Sequence, residues 1–185
     1  LVGAQQPLAW RGPMLHSAIR QFVQDVDWGD LDFLIVDLPP GTGDAQLSVA
    51  QTISLTGGFI VTLPQAVSVA DARRGLELFR QLQVPVLGVI ENMSYLSMPD
   101  GSQVDVFGQG GGSRLAEDAG VTFVGQIPLD PEVRVGGDTG VPIVVAHPES
   151  KSAVALRQIA VTLCEKVAAQ SREQQGDSIP IEVIE

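Results

Sequence analysis

The stretch Phe33-Leu34-Ile35-Val36-Asp37-Leu38-Pro39-Pro40-Gly41-Thr42-Gly43-Asp44 decides how the rest of the chain is read. Residues 33–36 are apolar on both parities, the pattern of a strand covered on both faces, as in a parallel sheet. Asp37 then ends the run. A carboxylate at the end of a buried strand is costly unless it meets a cation or strong donors. In nucleotide sites the usual partner is Mg²⁺, held directly or through water. Pro39-Pro40 narrows the exit direction, and Gly41 and Gly43 let backbone N–H groups approach an anion. For Asp37 taken alone, the ordinary reading is a strand-end carboxylate held by the helix that begins near Asp44. The whole octapeptide from Asp37 to Asp44 points instead to function.

Similar apolar runs recur downstream. Residues 58–63 (GFIVTL) end at Pro64, residues 84–90 (VPVLGVI) lead into Glu91-Asn92, and residues 121–127 (VTFVGQI) end at Pro128. Helical periodicity fills the gaps. Residues 14–25 place Leu15, Ile19, Phe22 and Val23 on one face behind Pro13. Residues 44–53 carry a weaker pattern. Residues 69–82 repeat Ala72, Leu76, Phe79 and Leu82 with Arg73, Glu77 and Arg80 outside. Residues 112–119 form a short helix closed by Gly120. Residues 152–169 form the longest, with Val154, Leu156, Ile159, Leu163 and Val167 inward. Strands alternating with helices predict an α/β fold, a mostly parallel doubly wound sheet with flanking helices. Residues 1–170 read as one domain, incomplete at its N-terminus. Residues 171–185 read as a polar tail or linker, with residues 179–184 either an added edge strand or the start of something further.

The bulk numbers bound the function. The 185 residues are 44% hydrophobic and 18% charged, enough for a packed core. Twenty-two acidic residues against 11 basic ones give a net charge of −11, which argues against direct binding to nucleic acid or an anionic membrane surface. No stretch is long enough for a membrane helix. The one cysteine, Cys164, excludes an internal disulfide and reads as a buried thiol in a cytoplasmic setting.

In doubly wound sheets ligands bind beyond the carboxyl ends of the strands. There the chain collects Asp37 to Asp44, Pro64-Gln65, Glu91-Asn92-Met93 and Pro128-Leu129-Asp130. At this point a resemblance becomes specific. The run DLPPGTGD resembles the Walker B and switch II segment of the Mrp/ApbC family of iron–sulfur cluster carrier ATPases, relatives of MinD and ParA in the P-loop class. Trp10-Arg11-Gly12-Pro13-Met14, Asp71-Ala72-Arg73-Arg74-Gly75, Glu91-Asn92-Met93-Ser94-Tyr95, Phe107-Gly108 with Gly110-Gly111-Gly112, and Ile127-Pro128-Leu129-Asp130 agree in order. The resemblance implies that Asp37 acts catalytically by helping to hold Mg²⁺ through water. It implies that Gly41 contacts the nucleotide near its γ-phosphate. It makes Asn92 the side chain that reads the adenine edge, and Pro128, Leu129 and Asp130 the loop that walls the base. The ordinary reading of Asn92 is a turn former after a strand. That of the proline loop is a plain strand exit.

The same resemblance implies ATP as ligand, iron–sulfur recipient proteins as partners and a homodimer. Two departures limit it. Within these 185 residues no Gly-rich run carries the Lys and Ser/Thr of a phosphate loop. Residues 108–114 (GQGGGSR) are Gly-rich but read as a turn that starts a helix. The chain alone is therefore expected not to hydrolyse ATP at a useful rate, and to be either a truncated form of a longer protein or one whose sheet closes by another route. The family's Cys-x-x-Cys pair aligns with Met98 and Gly101, neither a good iron–sulfur ligand. Two other readings compete with the carrier: a MinD- or ParA-like positioning ATPase, and a non-hydrolytic scaffold descended from such an ATPase.

Overall fold

The protein is described by a computed structural model covering residues 12–38 and 43–176. The chain falls into two compact units, Leu1–Leu55 and Thr56–Glu185.

In the first unit, helix α1 (Gly12–Gln24) packs beside helix α2 (Asp44–Thr52). Ile19 and Val23 of α1 are partly covered, whereas Phe22, expected inward, is exposed. A two-helix seam covers only a narrow stripe, and Phe22 lies off its edge. On α2, Val49, Ser48 and Gln46 are buried. Residues 33–36 correct the expectation most sharply. Among the described residues they pair with no strand, and Phe33, Leu34, Ile35 and Val36 are all exposed, Ile35 to 79%. An apolar run becomes a strand only when a neighbour's N–H and C=O groups pair with its own, and no such neighbour lies among the described residues.

The second unit realises the α/β expectation. Strand β1 (Gly58–Thr62), helix α3 (Ala66–Gln81) and strand β2 (Val86–Glu91) form one crossover unit. A two-residue hairpin, β3 (Leu96–Ser97) and β4 (Gln103–Val104), precedes helix α4 (Gly111–Ala119) and strand β5 (Phe123–Gln126). Helices α5 (Pro131–Thr139), α6 (Ile143–Ala146) and α7 (Lys151–Gly176) follow. The sheet is parallel, in the order β1-β2-β5.

Alternation along the strands sets the core. Ile60 pairs with Val89, so both side chains leave the sheet on one face, where Leu76 of α3 and Leu115 and Ala116 of α4 cover them. Leu76, Val89 and Leu115 are fully buried. Helix α7 packs against β5, with Ile159 close over Gly125. It runs on through residues 171–176, which read as tail in the sequence. Cys164, expected to be buried, is exposed, because five residues beyond the buried Ile159 the helix has turned about 140° away from the sheet. No helix among the described residues is long and apolar enough to cross a membrane.

Candidate functional site

The strand ends of the second unit bring two of the sequence-read segments together. Strand β2 delivers Glu91 and Asn92, and β5 delivers Ile127 to Asp130. The sheet pairing carries on past the strands. Ile127 N–H donates to Glu91 O at 2.8 Å, Ser94 N–H to Ile127 O at 3.0 Å and Leu129 N–H to Tyr95 O at 2.8 Å, and an isolated parallel bridge joins Leu96 to Leu129. On the other side Asn92 N–H donates to Thr62 O of β1 at 2.8 Å. Asn92 is thereby held from both flanks, and Pro128 is buried beneath the loop.

The turn itself is tight. Met93 has φ +52°, in the left-handed region that a side chain with Cβ adopts at a cost of about 1–2 kcal/mol. Asn92 Oδ1 accepts from Met93 N–H at 2.9 Å, and Ser94 Oγ donates to Glu91 O at 3.0 Å. The carbonyl oxygen of Asn92 keeps a second lone pair, and its amide keeps two donors.

Asp130 is more committed than its sequence reading suggested. Its Oδ1 accepts from Glu132 N–H at 3.0 Å and caps α5, while its Oδ2 accepts from the buried Ser152 Oγ at 2.8 Å. The carboxylate fastens the start of α7 to the loop that follows β5. Beside this loop opens a hollow of about 440 Å³, whose wall includes Tyr95, Gln126, Lys151 and Gln158. Lys151 Nζ donates to Ser97 Oγ at 3.2 Å.

Glu91, named in the sequence only as part of a strand-end segment, had no role of its own there. It is the last residue of β2, fully buried, and it pairs with Thr62 on one side and Gln126 on the other. Its Oε2 accepts from Gly112 N–H at 2.6 Å and its Oε1 from Gln126 Nε2 at 3.0 Å. The signal was available: a carboxylate ending an apolar run is the pattern that singled out Asp37, and it applies with more force to Glu91. The Gly-rich run is explained by the same packing. A Cβ on Gly111 would collide with the Pro64 carbonyl oxygen, and one on Gly112 would lie 2.9 Å from Glu91 Cβ. Glycine there lets α4 start flush against the ends of β1 and β2.

The remaining predicted residues belong to other segments of the chain. Asp37 is exposed in the first unit. Gly41 lies outside the described residues. Met98 and Gly101 sit in the turn between β3 and β4, closed by Met98 N–H to Ser102 O at 2.9 Å and Gly101 N–H to Met98 O at 3.0 Å. Met98 is a poor iron–sulfur ligand and Gly101 offers no side chain, and among the described residues no group of three His, Cys, Asp or Glu is arranged to hold a metal ion. The Asp100 carboxyl in that turn lies below its ordinary range, because Ser102 Oγ (2.6 Å) and then Ser102 N–H (2.9 Å) donate to it.

A parallel sheet whose strand ends gather an Asn loop and a Pro-Leu-Asp loop can be compared with known proteins. Residues 1–164 match the family model described as ParA, the NUBPL iron-transfer P-loop NTPase. The chain belongs to this family. The iron–sulfur cluster carrier protein of Deinococcus radiodurans is 52% identical over 179 residues, covering 96% of this chain and 51% of that protein. The protein of the same name from Synechocystis is 54% identical over 170 residues, covering 91% of this chain and 48% of that one. This P-loop NTPase chain thus spans about half the length of the curated relatives it matches. Among solved structures, the nucleotide-binding protein of Archaeoglobus fulgidus in complex with ADP superposes with a TM-score of 0.64 at 37% identity, over 74% of this chain and 56% of that one.

Proposed function

We propose that the chain carries the base-recognition part and the switch aspartate of an ATP-dependent iron–sulfur cluster carrier. The observation that carries this reading is the hydrogen-bonded apposition of Asn92-Tyr95 and Ile127-Asp130 at the strand ends of a P-loop NTPase fold. An Asn side chain offers one acceptor and one donor in a plane, the complement of the adenine N6 amine and N7. Asn92, fixed from β1 and β5, presents that edge. Pro128 and Leu129 wall the base, and Asp130 keeps the wall in place through its cap on α5 and its bond with Ser152.

Asp37 is the group that would hold Mg²⁺ through water, where the ion neutralises charge on the phosphates. As an exposed carboxylate it fits that role chemically. Gly41 is assigned the backbone contact near the γ-phosphate. The incomplete NTPase domain is read as residues 1–170, on the match over residues 1–164. The cluster is cargo, and Met98 and Gly101 do not hold it. Hydrolysis, homodimer formation, transfer to recipient proteins and a cytoplasmic setting complete the reading.

Calorimetric titration of the full-length protein with ATP tests it. Asn92→Ala is expected to weaken ATP binding about tenfold, as loss of a paired hydrogen-bonding edge does. Unchanged affinity in N92A would remove Asn92 from the site, and no ATP binding by the unmutated protein would sink the reading altogether.

A further inference from the structure

We infer that Glu91 is a positioning residue for the Asn92 loop. The inference rests on the reading that Asn92 contacts the base, and it extends that reading to a group that never touches nucleotide.

Glu91 sits where three elements converge. Its backbone carbonyl accepts from Ile127 N–H and from Ser94 Oγ, so it closes the loop that follows it. Its side chain points to the face covered by α4, and both carboxylate oxygens are engaged there, one by Gly112 N–H and one by the Gln126 amide. Gly112 lies in the first turn of α4, where backbone N–H groups lack partners within the helix and the helix dipole favours negative charge. The anion at this Gly-rich turn is the protein's own carboxylate. The turn therefore serves the loop, not a phosphate.

The consequence follows from adjacency. Asn92 is the next residue in the chain. Its side chain direction depends on the backbone at Glu91 and on the left-handed turn at Met93. A carboxylate with two charge-assisted bonds fixes that backbone against α4 and β5. If it is removed, the Gly112 N–H and the Gln126 amide lose their partner, and the strained turn is free to relax.

Three variants of the full-length protein test this: E91A, E91Q and Q126A. E91Q keeps an acceptor for Gly112 N–H, and the Gln126 amide can flip to accept from the new amide, so geometry survives without charge. Hydrogen exchange of the peptide spanning residues 92–97 is the first readout. E91A is expected to speed it about tenfold, with α7 peptides unchanged and E91Q within about threefold of the unmutated protein. The ratio of ATP to GTP affinity is the second. E91A is expected to narrow that ratio as N92A does, and E91Q to restore it, which a purely stabilising role would not produce. Unchanged exchange in folded E91A overturns the inference, and so does faster exchange with an unchanged nucleotide ratio. Should E91A fail to fold, Q126A is read in the same two assays and decides. If the unmutated protein binds neither nucleotide, the functional reading falls, while exchange still supports or overturns the hold of Glu91 on the loop.

Discussion

Two segments of this chain invert the ordinary rule of hydrophobic inside and polar outside. Residues 33–36 are Phe-Leu-Ile-Val and lie exposed, whereas Glu91 ends a strand and is 0% exposed. The difference lies in bond closure. Glu91 has a strand on each side and a donor for each carboxylate oxygen, so its burial leaves nothing unpaired. The apolar run has side chains suited to a core but no paired backbone among the described residues. Hydropathy proposes burial, and pairing decides it.

The comparison can be broken first at the closed end. Gly111→Ala puts a methyl against the Pro64 carbonyl, a backbone atom with little room to move. A loss of about 3 kcal/mol in urea unfolding is expected, the upper end for overpacking. A loss below about 0.5 kcal/mol, the range of an ordinary surface change, would mean that α4 can slide and that Gly112 does not fix Glu91. Ser152→Ala comes next. It leaves Asp130 Oδ2 without its buried donor, and about 1 kcal/mol should be lost, as for one hydrogen bond. The open end should respond differently. Ile35→Ser in the 185-residue chain is expected to change stability by less than about 0.5 kcal/mol and to lower light scattering at high concentration, since a 79% exposed apolar side chain is a sticky one. A large destabilisation would show that residues 33–36 are covered after all.

The smallest effect concerns the hairpin turn. The folded Asp100 value lies below its ordinary 3.8. The turn contact is therefore fully present above the ordinary value and is lost as pH falls through the folded one. Ser102→Ala removes the larger cause and should move the Asp100 titration, followed by carboxyl NMR, upward toward 3.8.

Much of the second unit was legible because its strands are long apolar runs ended by Pro or Glu-Asn. The runs at residues 58–63, 84–90 and 121–127 all became strands of one parallel sheet. The run at residues 33–36 looked the same and did not, because a single sequence carries no sign of whether a neighbour is at hand. Helix α5 was missed although Asp130 and Pro131 are standard starting signals, since Gly136-Gly137 interrupts its apolar pattern. The β3–β4 hairpin has two residues per strand, too few for any period to show. Helix α7 outran its expected end because Gln, Arg and Glu are polar but good helix formers, and polarity alone does not stop a helix. At the site, Asn92 and the Pro128–Asp130 loop were visible as strand exits. What joins them, Glu91 to Gly112 and Gln126, spans 21 and 35 residues of sequence and shows only in three dimensions.

The short bond from Gly112 N–H to Glu91 also gives the molecule a built-in observer. The Gly112 amide nitrogen lies 2.6 Å from a buried carboxylate oxygen, so its proton should resonate downfield of ordinary glycine amides, at a position that depends on that one oxygen. Its single crosspeak on α4 would report the state of a loop on the far side of the carboxylate.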